Sequence, residues 1–141
     1  MNLLFVILLS LSGVAQVLGV GVVQQSGKYE AAGISDDAAA EKFFHELQKA
    51  VADDDRAKVA TMIAFPIVAY TGRRKVRFRS KLEVLKKYDL VFNQKVKQAL
   101  ARQNVSDLFV NSQGIMVGDG EIWFNQISNS DEFKVIAINN N

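Results

Sequence analysis

The strongest constraint on how this chain can fold lies between residues 36 and 52. There Ala40, Phe43, Phe44, Leu47, Ala50 and Val51 fall on one stripe at helical spacing. Asp36 and Asp37 place negative charge at the start of that helix, where the helix dipole favours it. A stripe carrying two phenylalanines must be covered by another element, so the rest of the chain has to supply a matching apolar surface. The Asp53-Asp54-Asp55 run breaks the helix and can cap a second, shorter one over 56–63, whose end is set by Pro66, the single proline of the 141 residues.

Beyond Pro66 the period changes. Extended segments are expected at 67–70 and 74–78, joined by Thr71-Gly72 as a hairpin. Strict alternation in Lys75-Val76-Arg77-Phe78-Arg79 puts three cations on one face and Val76 and Phe78 on the other. Ser80-Lys81-Leu82-Glu83 reads as a capping box opening a helix that turns Leu82, Leu85 and Tyr88 inward and ends near Asn93. Val96 and Leu100 suggest a further helix up to Arg102. Strands are expected at 108–117, 121–127 and 132–138, separated by Gly118-Asp119-Gly120 and Ser128-Asn129-Ser130-Asp131, which makes an antiparallel meander. Helices, hairpin, helices and meander in that order predict an α+β domain, with helices packed on one side of a strongly curved antiparallel sheet.

The N-terminus reads differently. Residues 3–11 are apolar apart from Ser10, the length of a signal-peptide core and too short to span a bilayer. Small residues at Gly13 and Ala15 suit cleavage after Ala15, with a second candidate near Gly19. The expected organisation is therefore an export signal over 1–19, a flexible polar lead-in over 20–35 and one domain over 36–141, placing the mature protein in the periplasm or outside the cell. The alternative is an uncleaved membrane anchor, because Met1 and Asn2 supply no Lys or Arg and moderate hydrophobicity continues to Val23.

The chemistry available to the chain is narrow. With no cysteine and one histidine, disulfides, thiolate sites and two-imidazole metal sites are excluded, and neither metal nor cofactor is expected. His45 lies about 150° from the centre of the apolar stripe and should face water. Asp119, between two glycines, suits a turn. Glu121 shares a strand face with Trp123, and a carboxylate beside a large aromatic in an enclosed space would suit acid–base work. It is the one weak catalytic candidate. Tyr70 and Tyr88 could line the same space with Glu121 and Trp123 as a ligand site.

Charge is segregated along the chain. From Arg73 to Arg102 there are eleven basic and two acidic residues, although the formal net charge of the whole is only +2. Arg73, Arg74, Lys75, Arg77 and Arg79 form a candidate anion-binding group, extended by Lys81, Lys86 and Lys87. An edge strand defended by cations is the alternative. Both faces of the meander carry apolar side chains, so Trp123, Phe124 and Phe133 are expected in the core or in a dimer interface.

The runs Asp107-Leu108-Phe109-Val110-Asn111, Gln113-Gly114-Ile115-Met116-Val117-Gly118, Gly120-Glu121-Ile122-Trp123-Phe124 and Lys134-Val135-Ile136-Ala137-Ile138-Asn139 resemble those of exported bacterial proteins. Phe65-Pro66 and Lys87-Tyr88-Asp89 add to the likeness. The group belongs to the nuclear transport factor 2-like, or cystatin-like cone, superfamily. That resemblance covers about residues 38–139. It implies a long helix against a strongly bent sheet, a cone-shaped cavity and often a homodimer paired through the sheet. Enzymes of the superfamily place Asp, His or Tyr inside the cone, and none of their constellations is found here. The leading expectation is a non-enzymatic domain binding a small apolar ligand or a protein partner as a homodimer. Two alternatives stand beside it. One is a cone-pocket isomerase, lyase or hydrolase with Glu121 as acid–base and Tyr88 or Tyr70 as donor. The other is a protein held on an anionic envelope surface by its basic strand. An exported address argues against nucleic acid as a target.

Overall fold

The computed structural model describes Gly21 and residues 26–141, so the expected export signal over 1–19 lies outside it. Helix α1, Asp37–Ala52, begins where Asp36 accepts a hydrogen bond from the Ala39 N–H (2.9 Å), and its six stripe residues are all buried. They meet the C-terminal sheet. The Phe43 ring lies 5.3 Å from Phe124 and 6.0 Å from Phe133, and Phe44 stacks on Phe124 at 6.4 Å. Each phenylalanine buried this way is worth about 1.5–3 kcal/mol relative to exposure. Helix α2, Arg56–Thr61, is capped by Asp55, which accepts from the Lys58 N–H at 3.1 Å.

Strands β1, Ile67–Thr71, and β2, Arg74–Phe78, form the expected hairpin. Two short helices follow, α3, Lys81–Lys86, and α4, Tyr88–Val91, where the sequence suggests one. This break corrects the inward set. With Val84 as the buried residue of α3, Leu82 sits about 160° away on the opposite pole and is 60% exposed, while Tyr88 is buried from α4. Ser80 does cap α3, accepting from the Glu83 N–H, but the Glu83 carboxylate reaches back to the Arg79 N–H rather than to that of Ser80. Helix α5, Gln94–Arg102, starts at Asn93 and buries Val96 and Leu100 as expected.

The meander has four strands, not three: β3, Phe109–Asn111, β4, Gly114–Val117, β5, Ile122–Gln126, and β6, Phe133–Ile138, in that order. The expected single strand over 108–117 folds on itself at Ser112-Gln113, where Asn111 Oδ1 accepts from the Gln113 N–H (2.8 Å) and Gly114 takes a φ of 142°. A Cβ at Gly114 would come within 2.7 Å of the Phe124 carbonyl oxygen.

The strands do not make one strongly curved sheet. They fall into a two-stranded and a four-stranded sheet. Residues 62–64 do lie along β6, with the Ala64 N–H donating to the Val135 carbonyl (2.9 Å) and the Val135 N–H to that of Met62 (2.8 Å). Pro66 then has no N–H to continue the ladder. What joins β1 to the end of β6 is a side chain. Asn140, 4% exposed, accepts from the Tyr70 N–H (2.7 Å) and donates to the Tyr70 carbonyl (2.7 Å), as a neighbouring strand would. The same amide also reaches the carbonyls of Leu90 (2.8 Å) and Val91 (3.1 Å).

The lead-in is part of the domain. Tyr29 and Ile34 are fully buried, and the Asp37 carboxylate accepts from the N–H groups of Lys28 and Tyr29. The core therefore begins at Tyr29 and not at residue 36, anchored through Tyr29 and Ile34.

Candidate functional site

The hairpin exists because β-branched and aromatic residues in β1 face a strictly alternating β2, and Gly72 takes the left-handed conformation the turn needs (φ 63°). In the register, Lys75 pairs with Tyr70 and Arg77 with Val68, so these four side chains share one face, while Phe78 is buried opposite Ile67. Arg73, Arg74, Lys75, Arg77 and Arg79 are all exposed. None of them, nor Lys81, Lys86 or Lys87, forms an ion pair among the described residues, and the residues outside that set contain no Asp or Glu. Every other basic stretch of the domain is partly neutralised. Lys42 pairs with Glu46, Arg56 with Asp54 and Asp89, and Lys134 with Glu132. The six strands contain no acidic residue at all, against four basic ones: Arg74, Lys75, Arg77 and Lys134.

Beside the hairpin runs a groove of about 500 Å³ between β1 and β6, lined by Val68, Tyr70, Lys75, Ile136 and Ala137 among others. From Ala137 the register continues across the larger sheet to Trp123, Met116 and Phe109. These are the outward positions, since the residues beside them in their strands, Ile115, Val117, Ile122, Phe124 and Ile138, are buried, and a bulge opposite Trp123 and Phe124 turns both Ile136 and Ala137 outward. Phe109 is 52% and Ile136 39% exposed, and Phe109 meets Trp123 edge-on at 6.4 Å. Sequence reasoning expects apolar side chains on both faces of the meander, with Trp123 in the core or a dimer interface, but does not assemble this row. Its signal is the alternation in 109–117, which becomes readable only once the tight turn at Ser112-Gln113 is placed.

The four residues expected to share a ligand site are placed apart. Tyr70 lines the β1–β6 groove. Tyr88 is 1% exposed, stacks on Phe92 at 5.0 Å and is roofed by the Arg56 guanidinium at 4.8 Å. Its hydroxyl has no hydrogen-bond partner among the described residues, and burial, helped by the charge of Asp54, pushes its pKa up to about 12. Arg56 is held over the ring by a two-pronged pair with Asp89, at 3.0 Å on each prong, and that pairing holds the Asp89 carboxyl below its ordinary range. Glu121 lies in a different groove, of about 600 Å³, with Lys95, Gln98 and Arg102. Its carboxylate accepts from the Asp119 N–H (2.7 Å) and stands 4.0 Å from the Lys95 ammonium. Neither tyrosine hydroxyl reaches it among the described residues. Trp123 is half-buried on the outward row. Glu121 thus braces the Gly118-Asp119-Gly120 turn, and Asp119 occupies the turn as the sequence suggests.

His45 is exposed on α1, as its angular position requires, and its Nδ1 lies 3.3 Å from Gln48 Oε1. Among the described residues no group of three or more His, Asp or Glu side chains is arranged to hold a metal ion. What the arrangement can do chemically is bind: it offers uncompensated cations on a hairpin, next to a groove and an apolar row on the same face. Comparison with known proteins finds no matching family model, no matching curated protein and no matching solved structure.

Proposed function

We propose that the protein is a non-enzymatic, exported binding domain that docks on a polyanionic surface through the β1–β2 hairpin. The observation that carries this reading is the cationic run from Arg73 to Lys87, eight side chains with no carboxylate partner. Unpaired like charges held this close repel one another, and a polyanion relieves that repulsion while releasing its own counterions. Membership of the nuclear transport factor 2-like superfamily belongs to the same proposal. It is supported by the order of elements and by α1 lying against the sheet. Acid–base catalysis by Glu121 gains no comparable support, because its carboxylate is engaged by the turn it closes.

The test is binding of the purified protein to long-chain polyphosphate across a salt series. Affinity should fall steeply with salt, and the triple variant Arg74→Gln, Arg77→Gln, Arg79→Gln should bind at least tenfold more weakly. All three side chains are exposed, so the fold should tolerate the change. Affinity indifferent to both salt and the triple variant would sink the reading.

A second reading is favoured by the outward apolar row: a protein cover over the sheet, supplied by a partner or a second copy. Sedimentation at rising concentration tests it. A dimer that dissociates on Phe109→Ser is the expected result, and a monomer at all concentrations removes the second copy.

A further inference from the structure

The cationic hairpin face and the apolar row belong to one surface. Lys75 and Arg77 stand beside Tyr70 and Val68 across the β1–β2 pair, and Val68, Tyr70, Ile136 and Ala137 line one groove. Ala137, Trp123, Met116 and Phe109 then follow in register across the four-stranded sheet. The surface is therefore basic at one end and apolar over the rest. A half-exposed tyrosine and the only tryptophan lie between the two ends, and the strands carry no acidic residue.

A soluble polyanion answers the cations and leaves Phe109 and Ile136 in water. An isologous second copy answers the row, yet it sets a surface with basic and no acidic strand residues against itself. One partner answers both ends: a layer with negative headgroups above an apolar interior. Lys and Arg bind the headgroup charge, Tyr and Trp favour the boundary, and exposed Phe and Ile enter the acyl region.

Resting on the polyanion reading above, we infer that the docking surface recognises an anionic lipid bilayer, with Lys75 and Arg77 of the hairpin on the headgroups and Phe109, Trp123 and Ile136 at the acyl boundary. No covalent chemistry is involved. No helix among the described residues is long and apolar enough to cross a membrane.

The experiment compares three probes with the purified protein: vesicles of phosphatidylglycerol mixed with phosphatidylcholine, vesicles of phosphatidylcholine alone, and polyphosphate. The inference expects binding to the mixed vesicles with a blue shift of Trp123 emission, and at least tenfold weaker binding to phosphatidylcholine alone. Phe109→Ser and Ile136→Ser should each weaken vesicle binding about fivefold to tenfold and leave polyphosphate binding unchanged. Both sites are exposed, so circular dichroism and thermal midpoint should match those of the parent. Vesicle binding that is indifferent to both variants and leaves the emission unmoved would overturn the bilayer inference while the polyanion reading stands. Absence of binding to mixed vesicles and to polyphosphate alike would remove both. A dimer that hides Trp123 and excludes vesicles would overturn the inference in favour of the second copy.

Discussion

Replacing Asn140 by Ala should cost more than any other single truncation of a polar side chain in this domain. The amide is buried and stands where a strand would: one bond from the Tyr70 N–H, and donation to the carbonyls of Tyr70, Leu90 and Val91 at 2.7, 2.8 and 3.1 Å. A carboxamide has two N–H groups, so these contacts amount to about three full hydrogen bonds. Removing the amide strands backbone groups of β1 and α4 that water reaches poorly, at about 1–3 kcal/mol each. With partial relaxation the loss is about 3–5 kcal/mol, a large share of the roughly 5–15 kcal/mol by which domains are stable. At about 3–5 °C per kcal/mol for a chain of this size, the thermal midpoint should fall by roughly 10–20 °C. Urea unfolding followed by far-ultraviolet circular dichroism reads it as a lower midpoint at unchanged slope. Asn139→Ala is the control. That side chain is exposed and donates one bond, to the Gly120 carbonyl (2.7 Å), so its loss should cost no more than about 1 kcal/mol. Asn140→Asp sharpens the test, since it keeps the shape but turns a carboxylate toward three carbonyls. The site favours the neutral acid, so the aspartate's folded pKa is raised. The variant should be least harmed in acid and lose stability as pH rises through the carboxylate range. A cost of under about 1 kcal/mol for Asn140→Ala would refute the view that this amide joins hairpin and sheet.

Three further substitutions probe other sites. Tyr88→Phe should raise stability at neutral pH by about 1 kcal/mol, because the buried hydroxyl has no partner among the described residues. Burial raises the Tyr88 pKa from 10.0 to about 12, so the stability held by its neutral form is fully present below about pH 10 and lost as pH climbs toward 12. The variant should be less sensitive to alkali, as read by phenolate absorbance and circular dichroism, and a loss of stability at pH 7 would contradict this. Gly118→Ala should cost about 2–3 kcal/mol, since a φ of 64° strains any side chain and its Cβ would collide with the Glu121 carboxylate and lie 2.9 Å from that of Ala99. Gly72→Ala, at φ 63° with nothing within 4 Å, isolates the backbone share at about 1 kcal/mol. Equal costs in chemical denaturation would show that Glu121 does not brace the turn.

The parts of the fold that sequence reveals are those where one local rule decides. The stripe on α1, the Asp55 and Ser80 caps and the β2 alternation are of this kind, and the cationic candidate site follows directly from the last. Where several rules compete, packing decides. Leu82 obeys a helical pattern that runs on to Tyr88, but the helix breaks at Lys87 and turns Leu82 to solvent. Tyr29 and Ile34 are isolated apolar residues in a polar stretch, and no periodicity announces that Asp37 draws that stretch onto the domain. The apolar row depends on register among four strands, which the turn at Ser112-Gln113 fixes. Alternation puts Glu121 and Trp123 on one strand face, yet Glu121 falls just before β5 and its carboxylate finds the Asp119 N–H two residues back. Only the three-dimensional placement of the turn shows that.

The meander also has a bearing on the order of folding. Within the meander each strand pairs with its sequence neighbour, so these pairs close short loops and can form early, whereas the bonds of residues 62–64 to Val135 and those between Asn140 and Tyr70, the latter spanning 70 residues, must wait for both ends to be in place. The hairpin's attachment is then a late event, made after the rate-limiting barrier. In a denaturant chevron Asn140→Ala should therefore steepen the loss on the unfolding limb and leave the folding limb where it was. The cationic hairpin is accordingly the first part of the domain to come free when the native state opens, and an occupant bound to it would slow that opening.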